Sequence, residues 1–142
     1  MNNRKVKLVI ILLSILSLLL LGYIAYRISQ ENIKVTTKTL ASNPSLYFSW
    51  DVETEGIAEP SGTVRETKLC PTGRGAVLMT AEYRWYTLKG EDGVKFLVVD
   101  AINDCGLPTA NEIPTGIPIR VQGQVWNGEP PYIRVFTTEI IK

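Results

Sequence analysis

Nineteen uncharged residues, Leu8 to Tyr26 (LVIILLSILSLLLLGYIAY), stand behind Arg4, Lys5 and Lys7 and ahead of Arg27. As a helix rising about 1.5 Å per residue they span roughly 28 Å, close to the hydrocarbon thickness of a bilayer. The run predicts a transmembrane helix over residues 8–28 after a short start, 1–7, with everything beyond it a tethered domain. The rival is a cleaved secretory signal, whose apolar region usually runs about 7 to 15 residues and ends in small residues. This run is longer and ends in Gly22-Tyr23-Ile24-Ala25-Tyr26-Arg27, which favours an uncleaved anchor. Tyr23 and Tyr26 suit the headgroup level. Ser14 and Ser17 suit either helix pairing or bonding back to their own helix.

Lys and Arg beside an apolar run are retained on the cytoplasmic side. Arg4, Lys5, Lys7 and the amino terminus outweigh Arg27, Lys34 and Lys38, so the short end is expected in the cytoplasm and the domain outside it, on the cell membrane. Cysteine usage agrees. Cys70 and Cys105 both lie in turn-like sequence, and an oxidising compartment permits a bridge between them. The alternative is two unrelated free thiols. The sequence has no histidine and no CxxC, which removes the common zinc arrangements and the Cys-His nucleophile; no metal site or cofactor is expected.

After a juxtamembrane linker, 29–44, residues 45–142 are enough for one small domain. It is rich in Thr, Val, Ile, Tyr and Trp, punctuated by Gly and Pro, and reads as all-β. The first strand falls in Ser45–Val52 or Val52–Ala58 and is closed by Glu59-Pro60-Ser61-Gly62. Ala76–Leu88 and Val94–Ala101, joined by Lys89-Gly90-Glu91-Asp92-Gly93, predict a hairpin. A Pro-rich connection from Gly106 to Pro118 leads to Ile119–Trp126, which alternates cleanly. Ile119, Val121, Gly123 and Val125 share one face; Arg120, Gln122, Gln124 and Trp126 share the other. Asn127-Gly128 turns the chain into Tyr132–Ile141.

Five strands, with the longest connection between the third and fourth, suit a small OB-like Greek-key barrel behind one N-terminal transmembrane helix. The start of the second strand and the end of the third are neighbours in a hairpin, so Cys70 and Cys105 are expected at the same end.

A short basic start, one anchor and a β-rich domain ending GIPIRVQGQVWNGEPPYIRVFTTEI together resemble the periplasmic haem chaperone family of cytochrome c maturation. The likeness lies in strand patterning, best over Val52–Ala58, Trp85–Val99 and Gly116–Ile140, and implies an OB-fold outside the cytoplasm. That family attaches haem through a histidine, or a cysteine in some members, in a tail beyond the last strand. With no histidine and no such tail after Lys142, no haem-attachment residue carries over, and haem handling stands as an unsupported alternative.

Three classes of function are weighed. The first is a non-enzymatic binding or assembly module that holds a protein near the membrane, as an accessory subunit or chaperone of a membrane complex. Its candidate partner-binding residues are Arg120, Gln122, Gln124, Trp126 and Tyr132, since aromatic and Arg residues outside a core commonly anchor protein contacts. Against this, Trp50, Trp85 and Trp126 equally suit covers for the barrel ends.

The second class is binding of single-stranded nucleic acid or oligosaccharide through Tyr83, Arg84, Trp85 and Tyr86, the one local run of stacking rings beside a cation. From Val35 onward, however, ten Lys and Arg face thirteen Asp and Glu, a net of −3, where phosphate binding favours positive charge. The third class is an enzyme. Glu53 with Glu55 and Glu91 with Asp92 are expected on a solvent-facing strand side and in a turn, and no phosphate loop or nucleophile motif is present, so catalysis is not expected.

Overall fold

A computed structural model describes residues 3–30, 32–107 and 112–142, in two compact units, Met1–Asn32 and Ile33–Lys142. The first unit is one helix, α1 (Asn3–Gln30). Its Val9–Tyr26 window has a mean hydropathy of 2.6 and is long and apolar enough to cross a membrane. The serines serve the helix itself: Ser14 Oγ donates to the Ile10 carbonyl and Ser17 Oγ to that of Ser14, each at 2.9 Å. With their protons spent on the backbone, neither leaves a bare hydroxyl donor on the helix surface.

The second unit begins earlier than the sequence suggests. Residues 33–44, read as linker, belong to the fold: β1 (Ile33–Lys34) pairs in parallel with β2 (Asp51–Thr72), and α2 (Thr37–Ser42) buries Leu40 completely. Thr36 caps α2, its Oγ1 accepting the Thr39 N–H at 3.1 Å. Val35, Leu40, Tyr47 and Phe48 all pack into or against the core. A six-residue helix is too short to show a period, which is why the pattern passes unnoticed in the sequence. Ser45–Tyr47 falls in a 3₁₀ turn, Pro44–Tyr47, so the first long strand starts at Asp51.

The remaining strands are β3 (Gly75–Lys89), β4 (Lys95–Ile102), β5 (Pro118–Trp126) and β6 (Tyr132–Ile140). The sheet thus has six strands in the order β1-β2-β3-β4-β6-β5, and β2 pairs also with β5, so the five long strands close into a ring. All pairings in the ring are antiparallel except β4 with β6. The β3–β4 hairpin turns where expected, with Gly93 at φ 77°. Inward-facing Val52, Leu88, Val98, Ile119, Val121, Val125, Ile133 and Val135 fill the interior. Gly123 keeps this alternation but carries no side chain, because a Cβ there would collide with the Arg134 carbonyl of β6.

The Glu59–Gly62 segment, read as a closing turn, is instead strand. Pro60 faces Tyr86 and Gly62 faces Trp85, leaving Ser61 as the extra residue of a bulge. Proline is tolerated at such a site because the ladder bond it lacks is already interrupted. β2 therefore runs on to Thr72, and Cys70 lies within it, opposite Val77, rather than ahead of the second strand. Since β4 pairs with β3 only from Glu82 onward and β5 with β2 only up to Ile57, residues 64–81 form a two-stranded arm beyond the ring. A disulfide joins Cys70 of this arm to Cys105, just after β4.

Candidate binding surfaces

Four of the five proposed partner-binding residues lie on β5, and alternation turns Arg120, Gln122, Gln124 and Trp126 away from the core. The polar three are already engaged. Arg120 donates through Nε and Nη2 to Glu55 at 2.9 and 2.7 Å and through Nη1 to Glu139 at 3.0 Å, and it lies 3.3 Å from Glu53. The hydrogen bond to Glu55 pushes the guanidinium's pKa above its ordinary value. Gln122 donates to Glu53 and accepts from Thr137, both at 2.9 Å, while Gln124 donates to the Ser49 carbonyl at 3.1 Å. These bonds tie β5 to β2 and β6 across the outer surface. A partner contacting them must displace or share an existing bond, which returns little net free energy.

Trp126 is different. It is 39 % exposed, its ring stacked on Tyr132 at 6.4 Å with the Arg134 guanidinium 5.9 Å from its centre. Trp85 meets Tyr132 in a T-shaped contact, ring centroids 5.0 Å apart. Trp50, 55 % exposed, accepts the Val125 N–H through its carbonyl, which puts it at the same end of β5; Leu46 precedes it and is exposed too. The structure thus leaves a Trp126–Tyr132 stack and an exposed Trp50 at one end of the sheet. Trp50 carries no local signal that separates it from a core tryptophan.

The Tyr83–Tyr86 run divides between faces, as strand alternation requires. Tyr86 is buried in the core, and that burial pushes its phenol above the usual range. Arg84 donates to Glu82 at 2.9 Å, a bond that raises its own pKa. The Tyr83 hydroxyl accepts from Lys68 at 2.7 Å, and Trp85 is spent on Tyr132. Four consecutive residues on one strand do not form a stacking platform here.

An ionic cluster lies beneath the disulfide. Asp104, 3 % exposed, pairs with both Lys68 and Arg134. Arg134 is itself 5 % exposed, and burial lowers its pKa. The three residues come from β2, the segment after β4, and β6, so no local spacing announces them. Elsewhere a cleft of about 610 Å³ is lined by Lys34, Tyr47, Glu53, Thr54, Glu91 and others. Several of its polar groups already pair, Thr37 with Asp92 at 3.2 Å and Lys34 with Glu53 at 3.7 Å. No group of three or more His, Cys, Asp or Glu among the described residues is placed to hold a metal ion.

No family model, no curated protein and no solved structure matches this chain.

Proposed function

We propose that this chain is a non-enzymatic binding module, held at the extracytoplasmic face of the cell membrane by α1, that serves as an accessory subunit or chaperone of a membrane-associated protein complex. The observation that carries the reading is the end of β5. Trp126 and Trp50 keep 39 % and 55 % of their surface exposed while the neighbouring polar side chains are tied down within the domain. Rigid aromatic surface of this kind suits a protein contact, since a partner that covers it gains apolar burial without first breaking hydrogen bonds.

The finer fold reading is an OB-like Greek-key barrel. It is supported by the closed ring of five long strands, the parallel pairing of β4 with β6 and the long connection ahead of β5. The net −3 from Val35 onward and the dispersal of Tyr83–Tyr86 speak for a protein rather than a nucleic acid as the partner.

The test is co-purification from membranes in mild detergent, comparing the natural chain with Trp126→Ala. A buried interface tryptophan contributes about 2 kcal/mol, so association is expected to weaken about thirtyfold with the melting temperature held. A variant that melts lower yet binds its partner unchanged overturns the assignment of Trp126.

A further inference from the structure

The arm formed by residues 64–81 exposes apolar side chains that neither the core nor the β5 end explains. Its strands pair only with each other, so both edges are open beyond Glu82; one face is tied through Lys68 and Cys70 to Asp104 and Cys105, and the other is uncovered. On one face the cross-strand pairs change character from base to tip. Arg65 meets Glu82 at 2.9 Å, Thr67 meets Thr80 at 3.3 Å, Leu69 faces Leu78, and Pro71 faces Ala76. Leu69 is 64 % exposed and Leu78 69 %, and Val77 on the other face is 52 % exposed. A soluble hairpin gains nothing by placing two leucines opposite one another in water.

Charge changes along the arm as well. Between Glu66 and Glu82 the sequence contains Lys68 and Arg74 and no acid, in a domain whose balance is otherwise acidic. Lys68 is consumed by Asp104 and Tyr83, but the Arg74 guanidinium, in the exposed tip turn, makes no ion pair among the described residues. An apolar face next to an unpaired cation matches the boundary of an anionic bilayer, where acyl chains and phosphates lie side by side.

Reach permits it. Six residues, 27–32, separate Tyr26, the end of the apolar window, from Ile33 of the folded unit, a tether of at most about 25 Å. The arm from Ala81 to Arg74 is also about 23 Å long at strand rise.

We propose that the β2–β3 arm docks on an anionic lipid surface, with Leu69 and Leu78 dipping into the boundary between headgroups and acyl chains and Arg74 on lipid phosphate. The arm then acts as a second foothold beside α1. The Arg65–Glu82 pair braces its base, and the disulfide to Cys105 ties down Cys70 near its tip. This rests on the reading of α1 as a membrane anchor.

The test reconstitutes the full chain, with a photoreactive phenylalanine analogue in place of Leu78, into vesicles of phosphatidylcholine with or without phosphatidylglycerol. Vesicles are floated, illuminated and mapped by mass, and a sample with the analogue in place of exposed Glu91 serves as control. The Cys70–Cys105 peptide in the same digest reports that the arm is intact. The expected result is lipid adducts at position 78, enriched by phosphatidylglycerol and absent at position 91. Arg74→Gln is expected to reduce that enrichment up to about fivefold. Floating chain whose position 78 captures only water, or a second copy of the chain, overturns the lipid docking alone. Chain that does not float overturns the anchor and the docking together.

Discussion

Asp104 sits between two cations, Lys68 and Arg134, and the charge of buried Asp100 also acts on Arg134. Breaking a buried pair by removing one partner costs more than the pair itself contributes, because the survivor stays buried and charged. Asp104→Asn is therefore expected to lower stability by about 3–5 kcal/mol in urea titrations. Lys68→Met is expected to cost clearly less, since the Lys68 side chain is 30 % exposed and water takes over its role. Equal costs for the two substitutions would contradict the assignment of Asp104 as the hub. None of this is visible in the sequence, where Asp104 stands in turn-like sequence beside Cys105 and Arg134 is one residue of the last strand. The outward residues of β5, in contrast, were legible as a face. What the sequence lacked there was their engagement, since Glu53, Glu55 and Glu139 reach Arg120 from strands whose register is a long-range property.

At the scale of elements, the arm's base depends on Glu82, which accepts from Arg84 and from Arg65, each at 2.9 Å. These hydrogen bonds, Arg84's the larger, hold the Glu82 carboxyl below its ordinary pKa. A depressed carboxylate contributes stability above its unfolded value, about 4.3, and that contribution fades as pH falls through the folded value. Amide exchange at Val64–Glu66 is therefore expected to accelerate, relative to the rest of the sheet, as pH drops below about 4. Glu82→Gln should flatten that relative change; an unaltered profile in the variant would contradict the assignment. β5 and the β3–β4 hairpin could be read from alternation and from the Gly90–Gly93 turn chemistry. The arm could not, because Pro60 and Gly62 carry the same signature whether they end a strand or bulge it, and pairing with β3 decides between the two.

Across the whole molecule, two readings constrain each other. The disulfide closes a separation of 35 residues, worth about 3–4 kcal/mol on the chain-entropy view, and it ties the arm to the segment that carries Asp104. Such a bond persists in an oxidising compartment, in keeping with the proposed extracytoplasmic placement of the domain. The long apolar helix was legible at once from nineteen uncharged residues, and the mostly-β character of the rest followed from composition. The start of the fold at Ile33 was not, because a two-residue strand and a six-residue helix leave no periodic trace. Partner binding, lipid docking and the bridge all presuppose one topology. It is tested most directly by adding a membrane-impermeant protease to intact cells or spheroplasts and probing both ends of the chain. The account predicts that the domain beyond Arg27 is digested without lysis while the anchored N-terminal fragment survives. A domain that stays protected until the cells are lysed would contradict it.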